Sequence, residues 1–462
     1  MRIVLSSAGP LEGRIGGGQV YVQNLATELA SRGHHLTIIA PHPWQGQRET
    51  ASIHRYLWNG IQVLGIAVDD RRLHRADAWS EMPAPLLRVL EQVARDANPQ
   101  VMHLHGMKPA LTKIAVDLGI PHAITAHHGG FVCPAGALLR PDDSVCDLPM
   151  NPGSCVSCYC SQIPKSKWIG SALGTLPRTI YRSAGVSLNV LRNPTYAGRV
   201  LMYPWLIEHS IAAKQFALRN AQRIIAPSKA IAGAIRRNGV SDERITVIPH
   251  GITPFSATPI TGLGRRPLRF GYVGTINRPK GVRILLEAFA RLSPGSAELH
   301  IVGAPQRAEE QAYHDEAMAR LRGRADVILR GAVSRDQIEQ EFAGFDVLVV
   351  PSIYLEVFGL VILEAFSAGR PVIVTDSGGP SEIVRNGVDG IVVPPNDVAA
   401  LWQAMRELTE HPQRVAEMAA HIRPVRTLAE HVDDLESLYA DLIGAKSKAR
   451  GPQHLALAGA GV

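Results

Sequence analysis

Short apolar runs, each followed by a longer segment with apolar residues at helical spacing, recur down the chain. "RIVLSSA" leads into glycines and then "QVYVQNLATELASRG", a helix pattern that stops at Gly33, and "HHLTIIAP" follows as a strand. "VMHLHG", "PHAITAH", "RIIAPS" and "ITVIPHG" continue the series. The alternation restarts with "LRFGYVG" and the helix "GVRILLEAFARL", then "ELHIVG", "DVILRG", "DVLVVPS", "PVIVTD" and "GIVVPP". β-branched runs alternating with helices predict parallel βαβ units in doubly wound sheets.

Between the two series, Thr253 to Pro267 ("TPFSATPITGLGRRP") has the composition of a linker. The expected fold is α/β, with two Rossmann-like domains, 1–252 and 253–425, facing each other across a deep cleft. A helix at 426–445 is expected to pack back on the first domain, and the tail 446–462 to be poorly ordered. Ligands of open α/β sheets bind at the carboxyl ends of the strands, so the residues just after strands are the ones to examine.

Three such places stand out. Gly16, Gly17 and Gly18 lie between the first strand and its helix, where backbone can approach a phosphate; a tight turn is the plainer alternative. The spacing makes no dinucleotide fingerprint, and no acidic residue ends the second strand. Gly274 ends the first strand of the second series, with Arg278 and Lys280 in the loop before a helix, which suits a diphosphate. In "PSIYLEVFGLVILEAFSAG", Glu356 lies in the loop and Glu364 on the helix that starts near Gly359. The N–H groups of Phe358, Gly359 and Leu360 would face an anion there, and carboxylates suit sugar or ribose hydroxyls.

At this point the residues resemble a family. "EVFGLVILEA" has the E-x7-E spacing of the retaining glycosyltransferases of family 4, whose fold is GT-B. "GGGQVYVQNLATELASRGHHLTII", "IIAPSKAI", "ITVIPHGI", "GYVGTINRPKG", "LLEAFARL", "LHIVG" and "GGPSEIVRNGVDGIVV" follow that family's order over roughly 1–445. The resemblance implies a metal-independent hexosyltransferase that needs no cofactor beyond its nucleotide diphosphate sugar. It implies that Glu356 holds donor-sugar hydroxyls and Glu364 the ribose. The backbone of Val357, Phe358, Gly359 and Leu360 and the loop at Gly17 and Gly18 would cradle the diphosphate and sugar. Lys280 would neutralise the leaving diphosphate, and backbone near Ala332 and Val333 would meet the base. Similar enzymes carry an arginine after the strand glycine, where this chain has Thr275; Arg278 is the candidate substitute. His127 falls where relatives hold a histidine near the reacting sugar, and His105 and His128 are acceptor-side candidates.

Composition adds two features. All five cysteines, Cys133, Cys146, Cys155, Cys158 and Cys160, fall in one window. They are either ligands of a structural zinc that staples an insertion or reduced, partly buried thiols. From 148 to 207 there is no Asp or Glu, while Lys165, Lys167, Arg178, Arg182, Arg192 and Arg199 stand among tryptophans and tyrosines; net charge is +7. That segment reads either as a contact with an anionic membrane, suiting a lipid-linked acceptor, or as a basic outer face. No run of 18 apolar residues occurs and the first residues do not read as a signal peptide, so the expected location is cytoplasmic, with peripheral membrane contact. The acceptor is expected to be a glycan, a lipid-linked sugar or a small molecule, and no nucleic-acid partner is expected. Two alternatives stand beside transfer: another GT-B-like enzyme, such as an epimerase or phosphorylase, and a non-catalytic nucleotide-sugar-binding protein.

Overall fold

The structure is a computed structural model that describes residues 1–12, 16–42, 51–68, 84–161, 196–305, 308–319 and 323–449. Two sheets organise it. The first contains β1 (Arg2–Ser6), β2 (His35–His42), β3 (Ala51–Trp58), β4 (Ile61–Val68), β5 (Val101–Leu104), β6 (His122–Thr125), β7 (Arg223–Ala226) and β8 (Ile245–Val247), in the order β3-β4-β2-β1-β5-β6-β7-β8. The second contains β9 (Leu268–Val273), β10 (Ala297–Val302), β11 (Val327–Gly331), β12 (Val347–Val350), β13 (Val372–Thr375) and β14 (Gly390–Val393), in the order β11-β10-β9-β12-β13-β14. Every pairing is parallel except β3 with β4. The β/α alternation does not predict that hairpin. Its signal is the Asn59-Gly60 turn, both residues with positive φ, the chemistry a two-residue hairpin demands.

Helices cover both faces of each sheet because each carries one apolar stripe. In Gly17–Ser31 the buried residues are Tyr21, Val22, Leu25, Ala26 and Leu29, spaced to face the sheet. The same core receives Leu428, Val432, Leu435 and Tyr439 from the last helix, Leu428–Ala449, so the end of the chain completes the first domain.

Both sheets reverse direction at their centres, between β1 and β5 and between β9 and β12. The loops after those strands therefore open outward at the carboxyl ends, where a ligand crevice forms. The chain crosses between domains twice, and the crossings touch. The Ile252 N–H donates to the Arg426 carbonyl at 3.1 Å and the Leu428 N–H to the Ile252 carbonyl at 2.8 Å. Segment 253–267 is not the crossing itself. It is fastened to the second domain by Arg266 on Asp346, by Arg370 on the Thr258 carbonyl and hydroxyl, and by the Phe255 N–H on Ser367.

The domains also interlock away from the crossings. Leu355 and Val357 enter the first domain's core, and Leu139 enters the second's. Glu382 accepts from the N–H groups of Lys229 and Ala230 at 2.8 and 2.7 Å, capping a helix of the opposite domain.

Among the described residues no helix is long and apolar enough to cross a membrane. Of the basic segment 148–207, residues 162–195 lie outside the described residues. The rest includes helix Pro152–Ser161 and the start of helix Tyr196–Asn220, which contains Pro204.

At Gly251 a Cβ would stand 2.0 Å from the Thr427 carbonyl oxygen, and neither backbone can yield without parting the crossings. Gly251→Ala is therefore expected to destabilise the protein by about 1–3 kcal/mol. Denaturant melts against Gly233→Ala, a helical control whose added Cβ meets only an arginine tip at 3.6 Å, would check it.

Candidate active site

A cleft of about 420 Å³ lies between the two sheets. The first domain contributes the Gly16–Gly18 turn, Tyr21, His127 and His250. The second contributes Gly274, Thr275, Lys280, Glu356 to Leu360 and Glu364.

The Glu356 carboxylate is set in place by backbone. Its own N–H donates to the Ser377 carbonyl at 2.7 Å, and its carbonyl accepts from Gly379 at 2.9 Å. That approach needs glycine, since a Cβ at Gly379 would sit 2.5 Å from the Phe358 Cα. The side chain then takes four hydrogen bonds from three donors. Lys280 Nζ reaches Oε1 at 3.0 Å and Oε2 at 2.8 Å, Tyr354 donates to Oε1 at 2.7 Å, and Ser352 to Oε2 at 2.8 Å. Burial alone would raise the carboxyl pKa, but Lys280 and the two hydroxyls outweigh it and hold Glu356 below its ordinary value. Burial likewise opposes the Lys280 charge, and Glu356 outweighs it, so the ammonium is held above its usual range.

Glu364, one helical turn into Leu360–Ser367, takes Arg335 at 2.7 Å. Ahead of this helix the N–H groups of Val357, Phe358 and Gly359 meet no acceptor among the described residues. Gly359, at φ 95°, turns the chain into the helix. Gly17 and Gly18 open helix Gly17–Ser31. An added Cβ at either would meet nothing within 4 Å, so neither packing nor a left-handed φ demands glycine there. The space belongs to the cleft.

Behind the cleft stands a group of buried imidazoles. His127 Nε2 and His105 Nδ1 share a proton at 2.6 Å, and His103 bonds Tyr439 and Thr125. His250 packs on Tyr21 and His127, with ring centroids at 4.5 and 5.4 Å. Burial holds His105, His127 and His250 well below the ordinary imidazole range and pushes His103 down to about 3, so these four are neutral at pH 7.

Several sequence expectations meet a different arrangement. Arg278 does not line the cleft: it reaches across to the first domain, where Nε lies 2.8 Å from Asp143 and Nη2 bonds the Pro141 carbonyl. Its loop turns the guanidinium outward, so it does not stand in for the arginine absent at Thr275. Thr275 itself lines the cleft and its carbonyl accepts from Tyr272. Val333 lies outside the lining, while Arg335, two residues on, is inside it. His128 points away, its Nδ1 accepting from the Gly130 N–H in a short turn. Among the described residues no three His, Cys, Asp or Glu side chains stand close enough to share a metal ion. Cys133, Cys146, Cys155 and Cys160 pack in the first domain's core, where burial pushes the Cys155 and Cys160 thiols up to about 11. Among the described residues the arrangement is thus that of packing thiols, the second of the two sequence readings, with no cage of zinc ligands formed. Arg335, His250 and Tyr21 were not indicated by the pattern, although Arg335 and His250 both follow strands.

The sequence matches the family described as "Glycosyl transferases group 1" over residues 267–411 and the one described as "Glycosyltransferase Family 4" over 15–144 and 192–254. A D-inositol 3-phosphate glycosyltransferase of Streptomyces scabiei is 32% identical over 44% of this chain and 49% of its own. The aligned stretch spans about a third to half of the length of such curated relatives. Two solved structures share the fold. Sucrose-phosphate synthase from Thermosynechococcus elongatus has a TM-score of 0.64 at 19% identity, covering 96% of this chain and 99% of that one. Anabaena HepE in complex with UDP-glucose has a TM-score of 0.58 at 17% identity, covering 97% and 98%. Two parallel-sheet domains around a shared cleft, with both family matches falling in order along them, establish that the chain belongs to the group 1, family 4 glycosyltransferases of GT-B fold.

Proposed function

We propose that the protein transfers a hexose from a nucleotide diphosphate sugar to an acceptor hydroxyl with retention at the anomeric carbon, without a catalytic metal. The observation that carries this is the Lys280–Glu356 pair at the mouth of two helix N-termini. Both carboxylate oxygens are fully engaged, each by Lys280 and one hydroxyl. A diphosphate entering between Lys280 and the amides of Val357 to Gly359 draws the ammonium to itself. That frees one acceptor position on each Glu356 oxygen for sugar hydroxyls. The donor thus exchanges places with an internal ion pair, and much of the desolvation of both charges is already in place before it binds.

Glu356 and Glu364 are the carboxylates in the cleft lining. Glu356, held ionised by several donors, is a poor covalent nucleophile, and Glu364 is paired to Arg335. Retention then follows from attack on the face the leaving group departs. The bond from C1 to the β-phosphate oxygen breaks with its electron pair on that oxygen. The acceptor oxygen bonds to C1, and its proton passes to the departing phosphate. Lys280 and the amides stabilise the charge that develops. His127, neutral and fixed by His105, orients the acceptor hydroxyl. Glu364 and Arg335 hold the ribose side. HepE in complex with UDP-glucose gives UDP-glucose as the first donor to try. An acceptor at the cytoplasmic face of a membrane fits the basic composition of 148–207.

A thermal-shift panel of UDP, GDP, ADP and dTDP sugars, followed by transfer assays with the donor that binds, tests the reading. One donor should raise Tm with concentration. No shift with any of them would sink the enzymatic reading in favour of a non-catalytic protein. With the donor known, Lys280→Met should lower kcat by roughly 10²–10³-fold, since it removes one preorganised charge. Glu356→Gln should lower kcat/KM while nucleoside diphosphate affinity stays within about threefold, because the carboxylate engages the sugar rather than the phosphates.

Gly17→Val should raise the donor KM about tenfold with Tm little changed, the added branch filling cleft space rather than meeting protein atoms.

The pair also sets a pH dependence. Glu356 lies below its ordinary 4.5 when folded, so its contribution is present above that value and lost as pH falls through the folded pKa. Lys280 lies above 10.5, so its contribution is present below that and lost as pH rises further. The Tm difference between wild type and Lys280→Met should therefore be largest between these values and shrink in acid.

A further inference from the structure

A second cavity, of about 290 Å³, opens on the first domain beside the His105–His127 pair. Lys108, His128, Phe131, Ser210 and Lys214 line it, and no Asp or Glu is among its lining residues. Lys108 is only 7% exposed. Its ammonium stands over the Phe131 ring, 4.9 Å from the centroid, and among the described residues it takes no carboxylate or other hydrogen-bond acceptor. His105 adds a second orphan: with Nδ1 on His127, its Nε2 is buried without a partner. Lys108 and Pro109 are also the first residues of helix Lys108–Asp117, so the positive end of that helix lines the same space.

A buried cation without a counter-charge costs stability, and folds retain one where a ligand supplies the missing charge. Burial, with Lys214 adding to it, pushes Lys108 down to about 7, which a bound anion would reverse. The Lys108 ammonium and a helix N-terminus converge here, and Lys214, whose Nζ donates to Ser210, lines the same cavity, so an anion with several acceptor oxygens fits. A phosphate is such an anion.

We propose that this cavity holds the phosphate of a phosphorylated acceptor, ion-paired to Lys108, and so aims the acceptor hydroxyl past the His105–His127 pair into the donor cleft. The proposal deepens the transfer reading above and rests on it for the reaction, but the binding site is tested separately.

The experiment is calorimetric titration of inorganic phosphate into the full chain, its Lys108→Gln variant and its Lys280→Gln variant. Lys108→Gln should weaken phosphate about tenfold or more, the loss expected of one charge-assisted contact, and Lys280→Gln should leave the same binding event in place. Unchanged binding in Lys108→Gln, or binding lost only in Lys280→Gln, would overturn the proposal and put the phosphate in the donor cleft. In phosphate-free buffer Lys108→Gln should melt at or above the wild type, because it removes an uncompensated charge. A marked fall in Tm would make Lys108 a structural residue and overturn its assignment to a ligand. Co-sedimentation with phosphatidylcholine vesicles containing phosphatidic acid separates the two sources of phosphate. Sedimentation that is lost in Lys108→Gln assigns a lipid-borne phosphate; absent or unaltered sedimentation, with phosphate binding intact, assigns a soluble phosphoester. Failure of every nucleotide sugar to bind would overturn the donor reading and leave the Lys108 result standing.

Discussion

Two strands of backbone crossing side by side, Ile252 against Arg426–Leu428, decide how the molecule can work. A single tether would let two α/β domains swing freely. Two crossings joined by hydrogen bonds leave one soft direction, the opening and closing of the cleft. They also oblige the last helix to pack on the first domain rather than the second, since the chain has already returned before it begins. The loops after β1, β5, β9 and β12 then face each other across a space whose width is set by a few contacts: Glu382 on the helix at Lys229, Arg278 on Asp143, and Leu355 and Val357 in the opposite core. These contacts are polar or small in area, so a ligand that bridges the domains has little to overcome in adjusting them.

Within the cleft the charges are arranged in pairs that a ligand can exchange. Lys280 with Glu356 and Arg335 with Glu364 each satisfy a carboxylate that would otherwise be buried and alone. This arrangement explains how the cleft can keep anionic and cationic groups poised in a partly desolvated space without shifting them to neutral forms. It also separates two kinds of recognition. In the proposed donor complex, backbone amides and lysine meet the phosphates, whose oxygens take hydrogen bonds from many directions, and carboxylates meet hydroxyls, which need an acceptor at a fixed place.

Much of this was legible in the sequence because it rests on local pattern. Strands with β-branched runs, helices with one apolar stripe and glycines between them gave the two sheets, and loop positions after strands picked out Lys280, Glu356, Glu364 and His127. What was not legible depends on where a side chain goes after leaving its loop. Arg278 and Lys280 are two residues apart in one basic loop, yet one turns to Asp143 on the other domain and the other to Glu356. Arg335 became a site residue only because β11 ends opposite Glu364. The cysteine window illustrates the same limit: C-x2-C spacing places Cys155 and Cys158 on one helical turn, but which thiols meet depends on how helix Pro152–Ser161 packs.

The imidazoles complete the electrostatic picture. His103, His105, His127 and His250 are all neutral because burial outweighs every other influence on them. Four histidines near one wall therefore add no positive charge at neutral pH. They act as a packed scaffold, with His105 linking the ring that faces the cleft to the rim of the second cavity. The charge on that side comes from Lys108 and Lys214, and on the other from Lys280 and Arg335. Neutral rings between two cationic sites would let both attract anions without the wall itself becoming a trap for them, and in the proposed reaction they leave the acceptor hydroxyl beside groups that can share its proton.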